Sequence, residues 1–105
     1  MASSGATVVG IQSLAGAGTA QGTAAAIVGT LVIGTTAGGQ TAFILPATVG
    51  TVIYFVNTSA TTALIFPPVG GTIDATGTDT AVSVRTGNKA LYICQNATQY
   101  RSFAV

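Results

Sequence analysis

Residues 1–73 contain no Asp, Glu, Lys, Arg or His, and the 105-residue chain carries only five charged side chains: Asp74, Asp79, Arg85, Lys89 and Arg101. An ordinary soluble domain is roughly a quarter charged, because ionic side chains face the water. Here Thr, Ala and Gly occupy 50 positions, 14 of them Gly. Hydroxyl and methyl surface is easy to desolvate, since laying Thr against a partner strips no ion of its hydration. The composition points to a chain made to be covered by other protein, as part of an assembly.

The length suits one domain with a core of its own. A net charge of +1 gives no basic footprint for nucleic acid and no polybasic patch for a membrane surface. The mean hydropathy of +0.66 is high. Even so, the most apolar run, 24–33, is interrupted by Gly29 and Thr30 and is half the roughly 20 residues a spanning helix needs. A secretory signal needs an early positive charge, whereas the first charge here is Asp74. The expectation is a soluble, unprocessed chain. The lone Cys94 follows Ala90-Leu91-Tyr92-Ile93 and reads as a small apolar strand residue, with an interchain bridge or reactive thiol as the alternative. Asn57-Thr58-Ser59 and Asn96-Ala97-Thr98 match the N-glycosylation pattern, as chance alone would produce in so Thr-rich a chain.

The chain changes character near Ala25. Residues 1–24 are Gly, Ala, Ser and Thr with a few aliphatic residues, Val8, Val9, Ile11 and Leu14. They read either as a flexible, disordered tail or as an extended N-terminal arm that fills pockets on a neighbouring subunit. Residues 25–105 read as a β-domain, with β-branched and aromatic runs separated by Gly, Pro, Asn and Thr turns. Strands are expected at 27–35, 41–45, 52–57, 62–66, 80–85, 90–95 and 99–104. Turns are expected at 37–39, 46–50 and 87–88, a hairpin at 57–61, and a Pro-Pro exit with a Gly-Gly corner at 67–71. No segment shows capped helical periodicity. Val52-Ile53-Tyr54-Phe55-Val56 is apolar at consecutive positions, as in a strand covered on both faces. The fold class is all-β, a β-sandwich or jelly-roll-like barrel of seven to nine strands with an extended N-terminal arm.

Residue types for catalysis are scarce. With no His and no Glu, the commonest general bases and metal ligands are missing, and Cys94 has no His to activate it. Asp74 and Asp79 flank a Gly-Thr turn and read as turn aspartates; two carboxylates make a weak calcium site. Gly-rich 34–39 and 70–71 lack the lysine and following helix of a phosphate loop. The expectation is no enzyme, no cofactor and no metal. Arg85, Lys89 and Arg101 serve either solubility and pairing with the two aspartates, or registration on an acidic partner surface. The Tyr and Phe residues read as packing, with strand faces around Tyr54 and Tyr92 in core or subunit contacts.

From Thr41 to Phe103 the order of features resembles a small β-domain of tailed-phage virion structural proteins. Leu45-Pro46 ends an apolar strand, and Gly50 precedes Val52 to Val56. Asn57 and a Thr/Ser turn lead to Pro67-Pro68 and Gly70-Gly71-Thr72-Ile73, followed by Val82-Ser83-Val84, Gly87 and a last apolar strand pair. Where such domains often end in a Trp-containing strand, this chain has Tyr100. The resemblance implies a capsid decoration (cement) protein, commonly a homotrimer. It would be made in the host cytoplasm and located on the virion surface, where it binds the major capsid protein over subunit junctions. Its contact residues are expected at Val8, Val9, Ile11, Leu14, Arg85, Lys89 and Arg101, with no nucleic acid and no membrane involved. A tail or fibre receptor-binding module and a self-assembling β surface protein are the alternatives.

Overall fold

The computed structural model describes residues 10–104, and over them the chain is all-β. The strands are β1 (Ile11–Ala15), β2 (Ala25–Ala26), β3 (Leu31–Thr35), β4 (Ala42–Ile44), β5 (Val52–Asn57), β6 (Ala63–Phe66), β7 (Thr72–Ile73), β8 (Val82–Val84), β9 (Lys89–Asn96) and β10 (Gln99–Ala104). A 3-10 turn, Gln21–Thr23, precedes β2. Two mixed sheets form a β-sandwich: a six-stranded sheet in the order β1-β3-β5-β9-β10-β7, and a four-stranded sheet in the order β2-β4-β6-β8.

From β1 to β8 the chain alternates between the two sheets. In the large sheet β1 and β3 lie parallel, as do β3 and β5. In the small sheet β2 and β4 lie parallel, as do β4 and β6. Parallel neighbours need a crossover, and here a strand of the opposite sheet supplies it, so residues 11–66 form a flattened coil. Antiparallel pairing then closes the fold: β8 on β6, and β9 between β5 and β10.

The core lies between the sheets and includes Val32, Phe43, Leu45, Ile53, Phe55, Ile65, Ile73, Tyr92, Cys94 and Tyr100. Phe43 from the small sheet meets Phe55 from the large one edge-on, with ring centroids 4.9 Å apart, a geometry that suits the two ring quadrupoles. Gly34 makes room for that pair, because a Cβ there would stand 2.3 Å from Cζ of Phe55. Tyr100 donates its hydroxyl to the Pro46 carbonyl at 2.5 Å, so this buried phenol is satisfied.

Three sequence expectations are corrected. The first is the arm. Residues 11–15 form β1, paired in register with β3 of the same chain. Gln12 fastens the strand: its Oε1 accepts from the amides of Val28 and Gly29, and its Nε2 donates to the Ala26 carbonyl. The carbonyl of Gly10 accepts from Thr30 and Leu31. The backbone groups of β1 that face β3 are satisfied within the chain, so the β-domain includes residues assigned to the arm. Val8 and Val9 lie outside the described residues.

The expected hairpin at 57–61 is a crossover, because β5 and β6 belong to different sheets. Asn57 makes that corner. Buried at the end of β5, it donates through Nδ2 to the carbonyls of Thr61 and Val84, and accepts at Oδ1 from the Ser59 amide. The expected long strand at 27–35 is also shorter: 31–35 form β3 of the large sheet, and 27–30 link it to β2 in the small one. The bend falls at Gly29, where a Cβ would meet the Gly10 carbonyl oxygen at 2.3 Å.

Candidate protein interface

The outer face of the large sheet carries a feature that follows from register. Ile11 pairs with Leu31, Leu31 with Tyr54, Tyr54 with Leu91, and Leu91 with Phe103. Paired residues share a face of the sheet, so these side chains form one row across five strands, at right angles to them. The row is open to solvent: Ile11 is 66 % exposed, Leu31 38 %, Tyr54 48 % and Phe103 50 %, with Leu91 half-buried among them.

Two further rows flank it. On one side Ser13, Ile33, Val56 and Lys89 are paired in turn. On the other, Val52 pairs with Ile93 and Ile93 with Arg101. The centre of the face is therefore aliphatic and aromatic, and its described cations, Lys89 and Arg101, stand on neighbouring strands in opposite flanking rows. Arg101 is steadied by donating from Nε to Oε1 of Gln95 at 2.8 Å. Taking strands at about 4.8 Å and residues at about 3.4 Å, five strands by five residues cover about 400 Å² in plan. A patch of about this size is often functional, which makes this face the candidate contact surface.

The inward faces of the same strands explain the consecutive apolar residues of β5. Ile53 and Phe55 are buried in the core, while Val52 and Tyr54 point outward. Both faces are apolar, as the sequence indicated, but this chain covers only one of them.

The expected contact residues separate. Ile11 is on the open face, whereas Leu14, on the inward side of β1, packs against the core. Lys89 and Arg101 border the apolar row, and Arg85 is exposed on the link between β8 and β9. The aspartates are engaged by neutral donors. Asp74 accepts from the amide and hydroxyl of Ser102. Asp79 accepts from the Gly70 amide at 2.6 Å and from Nε2 of Gln21 at 3.0 Å. Both have left-handed backbone, with φ of 55° and 58°, a conformation Asp tolerates in turns. Among the described residues, no three His, Cys, Asp or Glu side chains gather in a metal-binding group.

Cys94 is buried in β9, its thiol directed to the Asn96 carbonyl. Burial raises the phenols of Tyr92 and Tyr100 well above their ordinary value; the Asp74 charge adds to the first, and Cys94 to the second. A cleft of about 230 Å³ is lined by residues of β8, β9 and β10, including Ser83, Lys89, Tyr92 and Ser102. Sequence reasoning identified part of the main row, through Ile11 and the unusual density of β5. It missed Leu31, Leu91 and Phe103 as one surface, because only the pairing register brings them together. No helix among the described residues is long and apolar enough to cross a membrane. No family model, curated protein or solved structure matches the chain.

Proposed function

We propose that this chain is a structural subunit of a viral shell, a capsid decoration (cement) protein that stabilises the shell by burying surface against its neighbours. The observation that carries this reading is the open row Ile11–Leu31–Tyr54–Leu91–Phe103. An apolar sheet face of this kind gains free energy only when protein covers it. The scarcity of charge acts in the same direction, since little ionic hydration is lost when Thr-, Ala- and Gly-rich surface is covered. The assignment to a virion rests on the sequence resemblance drawn between Thr41 and Phe103, and the partner it implies is the major capsid protein. Lys89 and Arg101 would then fix the docking register at the border of the apolar face.

The test is direct. Antibody raised against the chain should decorate the outer surface of virus particles from its native source in electron micrographs, and shells lacking the chain should open at lower temperature. Particles that carry no label, with shells unchanged by loss of the chain, would refute the reading.

The cleft lined by Ser83, Lys89, Tyr92 and Ser102 favours one other reading, a fibre or tail module whose cleft holds a receptor group. Binding to host cells, in the absence of binding to shells, would select it.

A further inference from the structure

We infer that the occupant of the open sheet face is a second copy of this chain, with the β1–β3 half of one copy lying against the β9–β10 half of the next. The inference rests on the assembly reading above and names the partner for its apolar face.

Charge distribution selects this partner and this pairing. The β1–β3 half presents Ile11, Ser13, Leu31 and Ile33 and carries no charge, whereas the β9–β10 half presents Leu91, Ile93 and Phe103 with Lys89 and Arg101. Like halves laid together would bring Lys89 of one copy beside Arg101 of the other, and like charges in a closing interface are unfavourable. Unlike halves set each cation opposite uncharged surface at the border, where a long side chain can reach water. The middle of the face offers a partner no ion to pair with. It calls for another neutral apolar row, and this chain displays one.

Shape agrees with charge. In the crossed arrangement Leu31 of one copy faces Leu91 of the other and Ile11 faces Phe103, while Tyr54, midway along the row, lies at the symmetry axis. A two-fold axis running along β5 produces this pairing reciprocally and gives a closed dimer, as soluble homo-oligomers require. The area is of the right order: two faces of about 400 Å² in plan give about 800 Å² before side-chain relief, against the roughly 1,000 Å² a specific interface should clear.

The experiment uses two variants at exposed positions, Leu31→Lys and Leu91→Asp, with light scattering at micromolar concentration and circular dichroism to verify the strand fold. The unmodified protein should have a mass that is a whole multiple of 10.3 kDa, two or more. Each variant alone should be a folded monomer, because a charge would be buried without a partner. An equimolar mixture should reassociate, since the lysine introduced in one variant would meet the aspartate introduced in the other across the interface. If either variant fails to fold, Tyr54→Asp, at the axis, should give the same monomer.

An oligomer that survives both substitutions, or variants that disperse but do not reassociate on mixing, would overturn the crossed pairing. A monomeric unmodified protein would overturn the second-copy inference altogether. Binding of an apolar fluorescent dye then separates the two claims. If that monomer binds dye and Leu31→Lys abolishes it, the face remains a docking surface for a different protein and the assembly reading stands. If it binds none, both fail.

Discussion

Nδ2 of Asn57, at the end of β5, donates to the carbonyl of Val84 in β8 at 2.9 Å, tying the large sheet to the free edge of the small one. The same amide donates to Thr61 at 2.8 Å, and its oxygen accepts from Ser59. One buried side chain thus closes the corner through which the chain changes sheets. Replacing it with Ala leaves two carbonyls and an amide without this partner, and each orphaned buried group costs about 1–3 kcal/mol. Asn57→Ala should lower the unfolding free energy by about 2–4 kcal/mol in a urea titration. Asn57→Asp should be worse at neutral pH, because a carboxylate would face two carbonyl oxygens. Its folded-state pKa would be raised, so the variant should lose stability as pH rises above about 4.

Gly34 and Phe55 are similarly interdependent, since the ring occupies the space a Cβ at position 34 would need. Overpacking of this kind costs about 1–3 kcal/mol. Gly34→Ala should therefore lower the melting temperature. In a Phe55→Leu background the same change should cost less, and a double-mutant cycle measures the difference.

The buried phenols set an alkaline limit on stability. Tyr92 and Tyr100 have folded-state pKa values raised above the ordinary 10.0, chiefly by burial. The Tyr100 hydroxyl also donates to Pro46, which only the protonated phenol can do. A raised folded value means the native state holds its protons where the unfolded chain releases them. The stabilising contribution is complete below about pH 10 and declines as pH rises further. Unfolding free energy should thus fall steeply above about pH 10, and Tyr92→Phe should make that fall shallower. An unchanged slope in Tyr92→Phe would place the alkaline transition elsewhere.

Much of the fold was legible in the sequence because turn chemistry is local. The turn at 37–39 appears between Ala37 and Gln40, which bridge to each other, and the runs at 52–57 and 99–104 are β5 and β10. The coil was not legible. A strand, a short polar link and another strand describe both a hairpin and a crossover, and what decides between them at 57–61 is the contact of Asn57 with Val84, a residue far along the chain. Likewise β2 and β7, of two residues each, are too short to show any periodicity, and their pairing alone defines them. The outer row was half legible. An apolar β5 announced two covered faces, but the alignment of Ile11, Leu31, Tyr54, Leu91 and Phe103 depends on register across links of unequal length.

Tyr54 provides the most direct measure of whether the outer face is covered. It is the exposed member of the chain's three tyrosines, since Tyr92 and Tyr100 are buried. Nitration by tetranitromethane, located by peptide mass spectrometry, reports which of them a reagent can reach. In the purified protein at micromolar concentration Tyr54 should be protected, and in the dispersed Leu31→Lys variant it should be nitrated rapidly, with Tyr92 and Tyr100 unreactive in both. Equal, rapid nitration of Tyr54 in the unmodified protein and the variant would contradict a face closed by a second copy.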